Sequence, residues 1–412
     1  MQIGNRVIAG AIGVALVAIL AGCGTTTATT TTITGSTLTI YSSLPLQGPE
    51  SSEATDVLDA ERLALQQAGG KVGRYTIDFV SLNDATSAGW SPRLIADNAR
   101  KAIQNDNAIA YIGEIDPNAS AQSVPITNAD QLLQVSPYDT AIGLTEATAA
   151  VSGSPGNYYQ ALSTDGRTFG RVVPNDSYQA KAQLEVMKSL GVHTLSIADD
   201  GKPYGEAIAL AIKQYASTYG ITASTPVQPP AKIATSGDDA IFYGGVESSA
   251  AVALFNSEAA ANPHLKLFGP GGLDTSFFAS SLSPAAQRAT YVSEPGETTK
   301  ELPPAGRAFI SAFKAAYHHV PWTQAIFGYA AMGAVLDALQ GSDHGADANN
   351  RADVVSAFFA IRNHASALGT YSIKKTTGDT SLAPYIFSKV KGGKLVAFEA
   401  LSCTTAPCHV VR

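Results

Sequence analysis

An α/β fold of two doubly wound, parallel-sheet lobes is what this sequence predicts. Strand-like and helix-like segments alternate along most of its length. The alternation occurs twice in similar form: 109–139 and 241–274 both read strand, glycine-containing loop, helix, strand. Two lobes of like topology give that pattern, and a generic α/β rhythm can mimic it. Length points the same way, since removing residues 1–22 from the 412 leaves 390, too many for one compact core.

The chain begins with a segment that is read as an export signal. Arg6 is the one charged side chain before Cys23, and an apolar run from Val7 to Leu20 follows it. The run has the length of a signal-peptide core and is too short to cross a bilayer comfortably. It ends in Leu20-Ala21-Gly22-Cys23, which resembles a bacterial lipobox. That resemblance implies cleavage after residue 22 and a lipid on the Cys23 thiol. The mature chain would then be held on the outer face of the cytoplasmic membrane. A Thr-rich stretch without packing periodicity, within 23–35, reads as a flexible tether. The rival reading, a buried N-terminal helix with a chance cysteine, does not fit that tether.

Beyond the tether, β-rich runs fall at Leu38–Tyr41, Thr76–Val80, Ala108–Ile112, Leu132–Val135, Leu195–Ala198, Ala240–Tyr243, Leu265–Phe268 and Thr290–Val292. Between them Val57, Ala60, Leu63, Ala64 and Ala68 recur at helical spacing, and Gly69-Gly70 ends the helix. Ala180, Leu184 and Met187 repeat the pattern before Gly191. The stretch Gln324–Leu339 is apolar nearly all round and reads as a buried helix. Near the end, Cys403 and Cys408 are expected to form a small disulfide. Half of a zinc site with His409 is the weaker alternative, because no second ligand pair has suitable spacing.

Loops that follow the strands are rich in glycine and polar or aromatic residues. Examples are Leu46-Gln47-Gly48-Pro49, Gly113 to Asn118, Ser136 to Thr140, Asp200 to Glu206, Gly244 to Glu247 and Gly269 to Asp274. Such residues are ordinary in turns. Their recurrence at the carboxyl ends of successive strands predicts a ligand cleft.

Composition and motifs narrow the function. The net charge of −7 becomes −8 without Arg6, which argues against nucleic acid as a partner. There is no G-x-S-x-G elbow, phosphate-binding G-x-x-x-x-G-K, H-E-x-x-H or G-x-G-x-x-G after the first strand. Asp199-Asp200 and Asp238-Asp239 are adjacent pairs whose side chains diverge, and His318-His319 sits at a helix end. No catalysis, metal or cofactor is expected.

In order and spacing, these pieces resemble the leucine/isoleucine/valine-binding type of periplasmic solute-binding proteins, which serve ABC importers. The resemblance runs from about Leu38 to about Phe398. It rests on Ser43-Leu44-Pro45-Leu46-Gln47-Gly48-Pro49, Ala60 to Gly70, Tyr75 to Asp84, Val135-Ser136-Pro137, Tyr204-Gly205-Glu206, Phe242-Tyr243-Gly244-Gly245, Phe268-Gly269-Pro270 and Gly328-Tyr329-Ala330-Ala331. It implies two lobes joined by three crossovers, the type I periplasmic binding fold. Lobe 1 would hold 36–160 and 294–368, and lobe 2 would hold 161–293 and 369–412. It also implies a small solute taken up between the lobes, a membrane permease as partner, and a monomer. A lipoprotein sensor acting through a partner membrane protein is the second reading.

The resemblance carries over to individual positions. Thr140 keeps the hydroxyl that the family uses, and Asp139 stands where a small residue is usual. Tyr204 keeps the aromatic wall, while Val246 or Glu247 replaces a second aromatic. Gly271 stands where an acid usually pairs with the ligand amine, and Asp274 is the nearest substitute. The cleft is therefore expected to be lined by Leu46, Gln47, Glu114, Pro117, Asn118, Asp139 and Thr140 from one lobe, and by Tyr204, Glu247 and Asp274 from the other. Glu247 and Asp274 could equally serve as helix caps in water. The acids favour a ligand with an amine, an amino acid first and an amine or amide second.

Overall fold

The computed structural model describes residues 31–160, 166–227, 233, 237–404 and 407–410. The expected signal peptide and Cys23 lie outside them.

Each lobe is organised by one sheet. The first sheet has six strands in the order Lys71–Val72, Tyr75–Asn83, Thr37–Leu44, Ala108–Ile112, Leu133–Ser136, Phe169–Arg171. All are parallel except the short Lys71–Val72, which pairs antiparallel with Tyr75–Asn83. Parallel strands covered on both faces read as continuous apolar runs, and Ala108–Ile112 is buried at every position. Phe169–Arg171 lies beyond position 160, so the first sheet reaches further along the chain than the expected boundary. Gly170 hides this strand in the sequence and is required by it: a Cβ there would stand 2.2 Å from Cε1 of Phe358.

The second sheet has eight strands. Thr222–Ala223, Thr194–Asp199, Ala240–Gly244, Lys266–Gly269 and Thr290–Pro295 are parallel in that order. Pro384–Lys391, Lys394–Ser402 and His409–Val410 then extend it antiparallel. The expected doubly wound parallel lobe thus carries an antiparallel edge of three strands. A hairpin needs only Gly392 and Gly393, both at positive φ, between its strands, whereas a parallel return needs a helix. Cys403 and Cys408 are joined by a disulfide at this edge, S–S 2.03 Å.

Helices cover the sheets. Ser51–Gln67 turns Ala54, Val57, Leu58, Ala60, Leu63 and Ala64 inward, and the apolar Ala325–Gly341 packs against it in the first-lobe core. Among the described residues, no helix is long and apolar enough to cross a membrane.

The chain passes between the lobes three times. Val172 and Val173 belong to the first-lobe core, and the helix Asp176–Ser189 belongs to the second. The strand Thr290–Pro295 lies in the second sheet, while Leu302 and Phe309 return to the first core. Ile373 is in the first core and Ala383 in the second. A buried ion pair ties two of these passages: Arg171 Nε donates to Asp379 Oδ1 at 2.7 Å, both side chains fully buried. Asn175 and Thr145 donate to the same carboxylate at 3.2 and 3.0 Å. Further donors on the guanidinium reach the carbonyls of Asp139 and Ala141 at 2.9 Å each, so this buried charge is fully hydrogen-bonded.

Candidate functional site

In an open parallel sheet, a crevice forms where the strand order reverses, because the two loops there leave toward opposite faces. In the first sheet that point lies between Thr37–Leu44 and Ala108–Ile112. In the second it lies between Thr194–Asp199 and Ala240–Gly244. The loops after these strands carry Glu50, Asp116 and Glu247, and Tyr204 opens the helix Pro203–Tyr215 that follows Thr194–Asp199.

Glu50 and Asp116 meet at the first point. Each carboxyl acts on the other, Asp116 lowering the Glu50 pKa and Glu50 raising that of Asp116. Burial raises the Asp116 carboxyl well above its ordinary range, and the charges of Glu50 and Asp84 add to this. Glu50 is also raised, by burial first and then by the charge of Glu247. Glu247 belongs to the other lobe, so the two reversal points face each other.

On the second-lobe side, three loops are stitched together. Glu247 N donates to Gly272 O at 2.8 Å, and Gly272 N donates to the Tyr204 hydroxyl at 3.3 Å. A Cβ on Gly272 would lie 2.7 Å from Gly245 O, so glycine alone allows this approach. The Glu247 carboxylate accepts from the Thr275 hydroxyl. Beside Thr275, Asp274 and Glu294 form a second pair of carboxyls that shift one another. Burial, then the charge of Asp274, raises Glu294 well above the usual range. Glu294 also accepts from Gln324 Nε2, and Gln324 opens the first-lobe helix Ala325–Gly341, so this bond spans the lobes.

Aromatic rings fill the space beside these acids. Tyr138 meets Trp322 edge-on, with ring centroids 5.6 Å apart, and Phe327 at 5.5 Å. Leu46, Tyr138 and Trp322 pack on a patch that contains Leu44 and Ile115. Burial pushes the Tyr138 phenol far up, helped by Glu294, Asp274 and Tyr204, which places it opposite the second lobe.

Of the residues expected from sequence, Leu46, Tyr204, Glu247 and Asp274 are thus brought to the cleft. Gln47 is exposed and Pro117 half-buried. Glu114 turns into its own lobe instead: Tyr111 donates to its Oε1 at 2.6 Å and Ser123 to its Oε2 at 2.5 Å. Burial pushes it up to about 8, so it is largely neutral at pH 7. Asp139 is spent on backbone, accepting from Asn118 N and Ser120 N at 2.8 Å and from Ala141 N at 3.2 Å. It shapes the loop, and Asn118 is held in a left-handed turn at φ 67. Thr140 donates to Asp176 Oδ2 at 2.9 Å.

Sequence reasoning missed Glu50, Asp116, Tyr138, Glu294, Trp322 and Gln324. Asp116 and Tyr138 stood inside loops already singled out, while Glu294 lies at the carboxyl end of the strand Thr290–Pro295, just before Gly296. Glu294 lies beside Gly271: a Cβ there would stand 3.6 Å from Ser293 O and 3.8 Å from Glu294 Cα, both ordinary contact distances. A separate concavity of about 390 Å³ is lined by Asp337, Gln340, Arg362 and His364. It opens at the far end of the helix Ala325–Gly341, about 25 Å from Gln324 at 1.5 Å rise per residue.

A model of the periplasmic binding proteins matches residues 37–394. The leucine-binding protein LivK of Thermotoga maritima has the same fold at 19% identity, TM-score 0.68, covering 88% of this chain and 98% of that one. A solute-binding protein of an ABC transporter from Desulfitobacterium hafniense, solved with Leu, matches at 17% identity and TM-score 0.69, covering 88% and 100%. One from R. palustris, solved with benzoate, matches at 20% identity and TM-score 0.64, covering 88% and 96%. Comparison with curated proteins gives no match. Matched over 37–394 and folded as two lobes around facing strand ends, the chain belongs to the periplasmic binding protein family.

Proposed function

We propose that this protein captures a small amine-bearing solute between its lobes and delivers it to an ABC importer. The amino acid class comes first, as for the leucine-binding relatives. The observation that carries this reading is the facing of the two reversal points, which sets Glu50, Asp116, Glu247, Asp274 and Glu294 around Tyr138, Trp322 and Tyr204. Carboxylates attract an ammonium, and the rings supply apolar walls and a face for a cation. The same acids oppose a ligand that is only an anion, so benzoate, bound by one relative, is not the solute expected here.

A thermal-shift screen over amino acids, amines, amides and aromatic acids tests this, since a ligand of the folded state raises the melting temperature by mass action. An amine-bearing compound should give the largest shift, and Tyr204→Ala should then weaken its binding by about 1–3 kcal/mol. Benzoate as the tightest binder would refute the reading.

The anchor belongs to the same proposal. Cys23 carries lipid and holds the mature protein at the outer membrane face; the tether expected over 23–35 is shorter than that, because Thr32 bridges to Asn350 and Ile33 is buried in the first-lobe core. Cys23→Ala should move the protein from the detergent phase to the aqueous phase in Triton X-114 partition. Equal partition of both forms would remove the anchor.

A further inference from the structure

We infer that the positive group of the ligand, an alkylammonium or guanidinium head, is seated on the first lobe, among Glu50, Glu53, Asp84 and Asp116. This rests on the amine reading above and says which side of the cleft holds the charge.

Backbone contacts bring these four residues together. The strands Tyr75–Asn83, Thr37–Leu44 and Ala108–Ile112 are neighbours in the first sheet and run parallel, so their carboxyl ends lie side by side. Asp84 follows Tyr75–Asn83, and its N–H donates to Leu44 O at 3.0 Å. Gly113 follows Ala108–Ile112, and a Cβ there would stand 2.8 Å from Ser43 O. Ile115, next to Asp116, packs with Leu44 against Ala54, Val57 and Leu58. Those three belong to the start of the helix Ser51–Gln67, which Glu50 precedes and whose first turn carries Glu53. Glu50 and Glu53 are three residues apart, hence on one face of that turn. The charge of Glu50 also raises the carboxyls of Asp84 and Asp116, after burial, so the three lie within electrostatic reach.

Each of the four keeps a buried oxygen for which the protein supplies no donor: Glu50 Oε2, Glu53 Oε2, Asp84 Oδ1 and Asp116 Oδ2. Asp84 is fully buried and Asp116 is 7% exposed. The other oxygen of Asp84 is fixed by the Ser43 hydroxyl, which donates to it at 3.1 Å and accepts from Asn98 Nδ2 at 3.0 Å. Among the described residues no ion pair includes any of the four. A buried acceptor without a donor costs free energy, and four of them in one crevice call for a group rich in N–H. An ammonium brings three and a guanidinium five.

The acids across the cleft differ. Glu247 accepts from Thr275 and Glu294 from Gln324, and neither these two nor Asp274 keeps a buried oxygen without a donor. Among the described residues no group of three or more acidic, histidine or cysteine side chains could hold a metal ion, so the seat suits an organic cation. Leu46, Tyr138 and Trp322 pack on the Leu44–Ile115 patch beside it and offer the body of the ligand an apolar wall.

Titration calorimetry on the purified mature chain tests this with n-butylamine, n-butylguanidine, L-leucine, L-arginine and the neutral amide valeramide. At least one of the four cation-bearing probes should bind at least tenfold tighter than valeramide. Asp84→Asn and Asp116→Asn should each weaken that probe at least tenfold and shrink its advantage over valeramide, and Asp274→Asn should cost less than either. Without ligand, both first-lobe variants should melt no lower than the parent, because each replaces a carboxylate that the protein itself leaves unmatched. Melting below the parent would show the carboxyls to be structural and overturns the inference. Unchanged affinity in both first-lobe variants, or a larger loss from Asp274→Asn, overturns it too and leaves the amine reading standing. If none of the four cation-bearing probes binds, both readings fall.

Discussion

Glu61 lies on the helix Ser51–Gln67 with no surface exposed. Burial pushes its pKa from 4.5 up to about 8, against a lowering by Ser42. Glu114 is pushed to about 8 and Asp84 to about 7, again mainly by burial. A group raised in the folded state binds more protons there than in the unfolded chain. Its contribution to stability is complete below the unfolded value and is lost as pH rises through the folded one. Melting temperature should therefore fall between about pH 5 and pH 8.5. Glu61→Gln should raise it by several degrees at pH 8.5 and by much less at pH 5. Equal shifts at both pH values would rule out titration of Glu61 as the cause. None of this was legible in the sequence. The stripe through Val57, Ala60 and Ala64 announces a buried face, yet an acid within it looks like any surface acid. Asp139 shows the converse: it read as a ligand contact, and its carboxylate holds three backbone N–H groups of its own loop.

Two elements pack more closely than their apolar sequences require. The helices Ser51–Gln67 and Ala325–Gly341 touch at Gly328, where a Cβ would lie 2.6 Å from Val57 O. Backbone is the obstacle, so no side chain can turn aside. Gly328→Ala should separate the helices and cost about 1–3 kcal/mol in denaturant unfolding. Gly333, on the same helix, has nothing within 4 Å of a Cβ. Gly333→Ala should instead gain up to about 1 kcal/mol from helix propensity. Equal effects at both sites would show that propensity, not contact, governs Gly328. The buried helix itself was readable from its all-round apolarity between Pro321 and Gly341. Its partner was not, because a contact between residues 57 and 328 leaves no periodic trace. The antiparallel strands Pro384–Lys391 and Lys394–Ser402 escaped notice for a related reason. Fully buried Tyr385 and exposed Lys394 belong to one hairpin, without the alternation that marks a half-buried strand.

The whole molecule is two lobes joined by three passages, with the cleft at their facing strand ends. The Gln324–Glu294 bond crosses that cleft, while Arg171, Asp379 and Asn175 bind two of the passages together beside it. Such an arrangement is expected to bend at the passages and to shut on a ligand. Small-angle scattering should show a smaller radius of gyration once a tight ligand from the amine class is added. An unchanged curve at saturation would mean a rigid scaffold. The cleft acids add a pH effect, since Asp116 and Glu294 are both raised by burial and by a neighbouring acid.

Alternation of strand and helix, the glycine-rich loops and the Cys403–Cys408 pair were determined by the sequence itself, because each depends on residues near one another along the chain. Tyr204, Glu247 and Asp274 could be named for the same reason: they follow strands, in glycine-bearing loops or the first turn of the next helix. Tertiary structure alone decided that Glu50 meets Asp116, that Glu294 lies beside Gly271, and that Glu114 and Asp139 face inward. Those outcomes depend on which strands are neighbours and which lobe each loop faces. That order is set by packing between distant segments, and the burial that shifts each carboxyl exists only once they have packed.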